Sequence, residues 1–499
     1  MAHNFPALIP ILPLAAAMIC LFVSKFNKNI GKYIVIASLA VSFISSIGVL
    51  VQVMTTGEDI HYWMGGWEPP FGIEFVVDPV NAIILVAISA LALFISVYGT
   101  PFFKKDGWLE VGGYYALYSL LSAGLLGMII TGDMFNLYVF LEIASLSGYG
   151  LIALGGDKST LSAFRYLIMG TIAASFYLLG VAYLYSITGT LNMADMAVLI
   201  SENLNSPNVL IALASMVIAF GIKMAMFPLH GWQPDAYTYS HPAAAPLISG
   251  AMSKAPAVAM LRYMFYIIGA ESIFVEYGLI VIGVLGALGI ILGSVMAIAQ
   301  KDFRRMLAYS SVAQIGYIAV GLSIGNAYGL IAAVLHIINH AFMKSSLFMV
   351  MGGVRHRYGE VKIEKFGGLN KHMPFTVFTL VVAALSMIGI PPTGGFFSKW
   401  YLVLGALQTE QYFFIAVLVL SCFLNAIYFF RVLENIFISK DAELTEINPV
   451  VRKDGKASRL ELPLQMLIPI VIFGIVIIAL GICNAQLVDI ISLGLPEVL

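Results

Sequence analysis

Four lysines, Lys223, Lys254, Lys344 and Lys399, stand inside apolar stretches long enough to cross a membrane, and Glu142 stands in a further one. A lysine at the centre of a bilayer costs roughly 2.5–3.5 kcal/mol on insertion scales, and residues that expensive mark ion or proton routes. Glu142 lies in Phe135-Asn-Leu-Tyr-Val-Phe-Leu-Glu142-Ile-Ala-Ser-Leu-Ser-Gly-Tyr149. A lone buried carboxylate either takes a proton or finds a cation, and Lys223 is the candidate partner. The competing reading is a static ion pair that only ties two helices together. His336, His340 and Lys344 follow at i, i+4 and i+8, with Asn339 nearby. That spacing keeps them on one helical face. Such a face can hold a line of water and pass protons along it, and histidine titrates near physiological pH. Two other readings attach to the pair of histidines. Zinc ligation suits an i, i+4 spacing, but a third ligand is missing and Lys344 would repel a dication. Core histidines satisfied by backbone or serine are the second. Lys254 follows Pro246-Leu-Ile-Ser-Gly-Ala-Met-Ser253; burial penalises the charged amine, which suits a lysine to taking up and releasing protons. Arg262, two turns on, is effectively always charged and suits a fixed counter-charge. Asp133 opens the Glu142 span as a helix cap, or else as part of an ion entrance, with the cap the favoured reading.

The elements that position these groups are spanning helices. Of the 499 residues, 60% are hydrophobic and 11% charged, with a mean hydropathy of +0.93. Soluble domains carry about 25% charge. Apolar runs of about 20 residues recur along the whole chain, each enough for about 30 Å of hydrocarbon. Alternation with period two is absent, which favours helices over a barrel. The first run, from about Phe5 to Val23, has no basic stretch before it and no small-residue cleavage site after it, so it is expected to be a retained helix. Cys20, Cys422 and Cys483 stand apart, with no pattern for an iron–sulfur centre or a disulfide framework. No cofactor and no metal is expected. The net charge of −1 offers nothing to nucleic acid.

Hydrophobic runs and breakers place about fourteen spans, centred near residues 15, 42, 90, 122, 144, 175, 219, 257, 288, 315, 340, 390, 420 and 473. Their loops alternate in charge. Of the 26 Lys and Arg, 21 fall in odd-numbered loops and none in even ones, which leaves 26 − 21 = 5 within spans: the four lysines and Arg262. The odd loops run from Lys25, Lys28 and Lys32 through Lys104 and Lys105 to Arg452, Lys453, Lys456 and Arg459. The even loops hold acids, among them Asp59, Glu74, Asp78 and Glu271. The positive-inside rule then puts the odd loops in the cytoplasm and both termini outside a cell membrane.

Two spans are interrupted. One break reads Lys223-Met-Ala-Met-Phe-Pro228-Leu-His-Gly-Trp-Gln-Pro234-Asp235, the other Gly389-Ile-Pro391-Pro392-Thr-Gly394-Gly395-Phe-Phe-Ser-Lys399. Proline removes a backbone donor and blocks a helix. Freed backbone at membrane depth survives only beside protein or a water-filled cavity. Paired interrupted helices point to inverted-repeat transporters, with ordinary proline kinks as the alternative. The breaks fall in the seventh and twelfth spans, five apart, which predicts repeats of spans 4–8 and 9–13. Five is odd, so the copies are expected to be inverted. The expected organisation is three N-terminal helices in 1–110, a first repeat in 111–270, a second in 271–440 and a C-terminal helix in 441–499.

With these motifs in place the sequence resembles the antiporter-like subunits of respiratory complex I, Mrp-type cation/proton antiporters and membrane-bound group 4 hydrogenases. The resemblance rests on Leu141-Glu142, on Lys223 with Phe227-Pro-Leu-His-Gly-Trp-Gln-Pro-Asp-Ala236, and on Ser249-Gly-Ala-Met-Ser-Lys254. It continues through Asp302-Phe-Arg-Arg-Met-Leu-Ala-Tyr-Ser-Ser-Val-Ala-Gln-Ile-Gly-Tyr317, His336-Ile-Ile-Asn-His-Ala-Phe-Met-Lys344, and Gly389-Ile-Pro-Pro to Lys399. It covers nearly the whole chain. It implies fourteen helices with two inverted five-helix repeats, a coupling pair at Glu142 and Lys223, and a polar axis continued by Lys254, His336, His340, Lys344 and Lys399. It also implies partner subunits that include small hydrophobic ones and further antiporter-like ones. The run Gly132-Asp133-Met-Phe-Asn-Leu-Tyr-Val-Phe-Leu-Glu142 is most similar to the Mrp D-type branch, and Lys399 stands where one complex I branch carries Glu. The long lateral helix of the largest complex I homologue and the extra C-terminal region of the Mrp A-type are expected to be absent.

The expected function is therefore proton translocation within a multisubunit membrane complex, with no redox chemistry in this chain itself. The leading expectation is the D-type component of an Mrp-type Na+/H+ antiporter, moving H+ and, in the complex, Na+. The alternatives are the pumping subunit of a redox-driven hydrogenase or complex I relative, and a non-transporting scaffold.

Overall fold

A backbone in hydrocarbon must satisfy its N–H and C=O groups within its own segment, and helices do so. The computed structural model describes residues 4–104, 106–269, 272–359, 362–440, 447–448 and 461–496, apart from the side chain of Asp157. Lys105, Glu271, Arg452, Lys453, Lys456 and Arg459, which enter the charge pattern, lie outside the described residues.

Twelve helices among the described residues are long and apolar enough to cross a membrane. In chain order they are Phe5–Ser24, Lys28–Thr56, Pro79–Tyr98, Trp108–Ile130, Met134–Ala153, Asp157–Thr188, Pro207–Met224, Ile273–Ile298, Phe303–Ile324, Ala327–Tyr358, Tyr412–Phe437 and Leu464–Ile482. Two further crossings, the eighth and the twelfth in order, are made in pieces: Ala245–Ala251 with Lys254–Arg262, and Pro374–Ile388 with Gly394–Gln408. Twelve plus two gives the expected fourteen, and the chain is an all-α polytopic membrane protein.

Burial sorts the spans by their polar cargo. The most apolar window of the eleventh span, Ala327–Tyr358, is 100% buried, against 39% for the first and 33% for the second. A helix carrying His336, Asn339, His340 and Lys344 cannot face lipid. The tenth, twelfth and fourteenth spans pack on the eleventh, the ninth and thirteenth pack behind the tenth and twelfth, and the third and eighth cover the eleventh elsewhere.

Both expected breaks are present. The seventh span ends at Met224, followed by Ala225 in the left-handed region at φ 62°, and helix resumes at Gln233–Tyr239. The twelfth ends at Ile388 and turns at Gly389, φ 94°. Glycine suits that position twice over, since a Cβ there would also stand 3.0 Å from the Lys399 side chain. The eighth span carries a third break, at Met252-Ser253, that the sequence reading did not single out. Its cause is Pro256, which has no N–H for the Met252 carbonyl and crowds it.

The loop after the second span is more ordered than hydropathy suggests. Strands β1 (Ile60–Trp63) and β2 (Glu74–Val77) pair antiparallel, with Ile60 opposite Val77 and Trp63 opposite Glu74. Ile, Tyr, Trp, Phe and Val are strand formers, but four-residue runs between long helices give little periodicity to detect. Far along the chain, the Glu461 carboxylate accepts from the amides of Phe375 and Thr376 and from the Thr376 hydroxyl, at 2.5, 3.0 and 2.8 Å. It thereby caps the twelfth span, whose first N–H groups would otherwise lack partners.

Candidate functional site

The buried ionisable groups fall in two sets, the Glu142–Lys223 pair and a group of Lys254, His340, Lys344, His336 and Lys399, and each of the four lysines has its own anchorage. In the pair, Lys223 Nζ lies 3.9 Å from Glu142 Oε1; the Lys223 side chain is 2% exposed and that of Glu142 24%. The ammonium donates its hydrogen bond to Ser145 Oγ at 2.6 Å. Glu142 Oε1 makes none. The pair is thus in charge contact without being locked. Two unit charges about 4 Å apart attract by about 4 kcal/mol at an effective dielectric of about 20. A membrane potential acts with about 2.3 kcal/mol per charge per 100 mV. The two magnitudes are comparable, so the contact is one that a driving force can make and break.

Glu142, Ser145 and Tyr149 recur at i, i+3 and i+7 and share a face. Gly170, in the sixth span, leaves them room: a Cβ there would stand 1.8 Å from the Tyr149 hydroxyl and 3.3 Å from Lys223 Nζ. The carbonyls freed at the seventh-span break are partly served by Trp232, whose indole N–H donates to Ile222 O at 2.8 Å.

In the second set, Lys254 Nζ reaches back over the eighth-span break to Ser249 O at 2.5 Å. Lys344 Nζ donates to Leu307 O at 2.8 Å and to Ser310 Oγ at 2.5 Å. Both lie close enough to His340 to act on it electrostatically. The rings of His340 and His336 stack with centroids 5.8 Å apart. His336 Nδ1 meets Ser398 Oγ at 2.9 Å. Lys399 Nζ donates to Met387 O and Ile388 O, both at 2.9 Å, the last carbonyls of the first half of the broken span. The same ammonium sits 4.8 Å from the centre of the Tyr317 ring, which itself lies 5.2 Å from the His336 ring.

Of the seven expected residues, Glu142 and Lys223 form one pair, and Lys254, His336, His340, Lys344 and Lys399 form a second group, on spans that pack seventh against eighth, eighth against eleventh and eleventh against twelfth. The structure refines the reading of His336, which bonds a serine on one nitrogen, while His336 Nε2 and both nitrogens of His340 find no protein partner. Gln233 and Gln314 are fully buried and their amides are likewise unpaired. Among the described residues no three His, Cys, Asp or Glu side chains group to hold a metal ion.

Sequence reasoning missed the groups that tune these two sets: Ser145, Tyr149, Gly170, Ser249, Tyr317 and Ser398. The signal for several was local, since Ser145 and Tyr149 share the face of Glu142 and Ser398 precedes Lys399.

Arg262 and Asp133 sit outside both sets. The Asp133 carboxylate accepts from the Asn136 amide at 2.6 Å and is a helix cap. Arg262 Nη1 donates to Ile129 O and Thr131 O, closing the end of the fourth span. With Asp59, His61, Glu74 and Asp78 it lines a cavity of about 390 Å³ beside β1 and β2. It is a fixed counter-charge there, for the acids of an even loop. Asp78 caps the third span and is matched reciprocally by Asn81, at 2.8 and 2.9 Å. Burial pushes its carboxyl above the usual range, against the opposing pull of Arg262. An acid raised in the folded state contributes stability while protonated and loses it as pH rises through the raised value. Asp78→Asn keeps the cap and removes that loss. The variant is expected to match or exceed the parent's unfolding temperature at pH 8, with the advantage shrinking at pH 5 in parallel thermal scans.

Fold and site together define an antiporter-like membrane subunit: many spans, three of them broken, around buried amines and imidazoles. Residues 131–424 match the family described as NADH:quinone oxidoreductase/Mrp antiporter, TM. NADH-quinone oxidoreductase subunit N of Desulforudis audaxviator is 46% identical over 99% of each chain. The D-type component of the Na(+)/H(+) antiporter of Alkalihalophilus pseudofirmus is 33% identical over 83% of this chain and 82% of its own. A chain in the structure of the membrane-bound sulfane sulfur reductase, an archaeal respiratory membrane complex, superposes with a TM-score of 0.88 at 28% identity, covering 98% of this chain and 96% of that one. The chain belongs to the NADH:quinone oxidoreductase/Mrp antiporter transmembrane family, and these relatives are subunits of multisubunit membrane complexes.

Proposed function

We propose that this chain translocates protons as the membrane subunit of a redox-driven complex, and that it performs no electron transfer itself. The observation that carries the transport reading is the set of ionisable groups buried within the spans: the Glu142–Lys223 contact at 3.9 Å, and the group of Lys254, His340, Lys344, His336 and Lys399. Protons load the Lys254/His340/Lys344 segment and leave by Lys399, or run the other way. The Glu142–Lys223 contact gates the step: pairing favours the charged amine, separation in a dry site favours the neutral one, and the change is felt by the next lysine as like-charge repulsion. The odd loops face the cytoplasm and both termini the outside, supported by the segregation of 21 of 26 basic residues.

The redox-driven setting is favoured over the antiporter by the 46% identity, end to end, with a protein named as a subunit of NADH-quinone oxidoreductase. The second reading is the D-type component of a Na+/H+ antiporter, supported by the 33% relative and by the Gly132–Glu142 run. Mass spectrometry of the intact, gently solubilised complex, with iron and nickel measured on the same sample, separates them. Metal-bearing subunits in stoichiometric amounts are expected. A metal-free set of small hydrophobic partners and further antiporter-like chains would transfer the chain to the second reading.

A further inference from the structure

The odd-loop face carries a cluster of cations that the transport groups do not use. Asp235 pairs with two arginines, Arg165 at 2.6 Å and Arg305 at 3.4 Å. Asp302 takes Arg304 at 3.4 Å while its other oxygen caps the tenth span. Beside them lies a separate cavity of about 210 Å³, lined by Gly155, Gly156, Lys158, Tyr239, Arg304 and Arg355. Among the described side chains, Lys158 and Arg355 have no carboxylate within ion-pair distance. Arg304 Nε is buried with no acceptor. Among the described side chains, three cations less the one carboxylate at Asp302 leave two positive charges on the cavity wall.

The backbone adds to the same field. The sixth span, 32 residues long, begins at Gly156, φ 115°, and no side chain caps it. Its first turn lines the cavity. A helix N-terminus carries about half a positive charge and offers N–H donors to an anion. Gly156 adopts a backbone that other residues rarely adopt, and a Cβ there would meet nothing within 4 Å, so the space in front of it is open. The wall thus combines two guanidinium groups, an ammonium and a helix start. Guanidinium pairs bind phosphate oxygens through parallel, charge-assisted hydrogen bonds. The cavity sits where the fifth and eleventh spans end and the sixth and tenth begin, on the odd-loop side.

We propose that this cavity is a phosphate-binding site, taking the phosphate of an anionic phospholipid or free inorganic phosphate. The assignment is independent of the proton-transport groups and of which complex the chain serves.

The test uses the full chain in its purified complex, stripped of lipid and supplied in turn with phosphatidylglycerol, phosphatidylcholine and inorganic phosphate. Bound copies are counted by native mass spectrometry and the unfolding temperature is followed. The parent is expected to hold one more phosphatidylglycerol than Lys158→Gln/Arg355→Gln does, and to fill that place at about tenfold lower concentration. Phosphatidylcholine is not expected to discriminate. A rise in unfolding temperature with inorganic phosphate in the parent, absent in the double variant, assigns the site to free phosphate instead. Lys158 is exposed, so Lys158→Gln alone is measured in case the double variant folds poorly. If Lys158→Gln binds phosphatidylglycerol and phosphate as the parent does, the proposal is overturned.

Discussion

Lys223→Ala is expected to lower proton transport by the reconstituted complex by about a hundredfold or more, the scale of a lost proton-transfer group. The substitution removes the cation that faces Glu142 at 3.9 Å and the donor that holds Ser145. The Glu142 carboxylate, whose Oε1 is buried with no other partner, is then expected to take up a proton and stay neutral. Folding should therefore survive, and assembly can be checked by the yield of intact complex. Lys223→Arg is the sharper variant. It keeps the charge but gives up its proton too reluctantly to act as a carrier, so it should transport little better than alanine. Transport by Lys223→Ala at the parent rate, measured with a pH-sensitive dye in sealed vesicles, would remove the gate from the mechanism.

Lys344→Met separates transport from stability. Lys344 is fully buried, holds only Leu307 O and Ser310 Oγ, and has no carboxylate beside it among the described residues. Replacing a buried charge with an apolar side chain of similar length is often neutral or stabilising. The variant is expected to keep or raise the unfolding temperature while transport falls by about two orders of magnitude. A structural lysine would do the reverse: the variant would unfold earlier and transport in proportion to the folded fraction. That outcome would move Lys344 out of the transport group and into the scaffold.

The two variants address residues that hydropathy alone exposes. A charged residue in an apolar run is visible in any sequence, and Lys223, Lys254, Lys344 and Lys399 all proved to be buried. The span count was legible for the same reason, since hydrocarbon forces helices and confines charge to loops. The partners were harder to see. Backbone carbonyls such as Met387 O, Ile388 O, Leu307 O and Ser249 O have no sequence signature, yet they hold three of the four lysines. The break in the eighth span went unnoticed because Pro256 acts one turn before its own position. Gly170 could not be read as clearance for Tyr149, since the contact joins two spans. The role of Arg262 was legible as a fixed charge, but its place beside Asp59, Glu74 and Asp78 depends on a hairpin that hydropathy does not show.

The anchorage of Lys399 makes occupancy and shape interdependent. Its ammonium bonds the last two carbonyls of Pro374–Ile388, at the point where that helix stops. A neutral amine keeps two N–H groups but loses the charge that strengthens them, so discharging Lys399 weakens the bonds that hold the turn at Gly389 closed. Linkage runs both ways: whatever tightens that turn must strengthen proton affinity at Lys399 by the same free energy. The interrupted helix is then a mechanical reporter of charge, and a partner subunit pressing on Gly389-Ile-Pro-Pro392 could set proton occupancy at Lys399 without touching any titratable group.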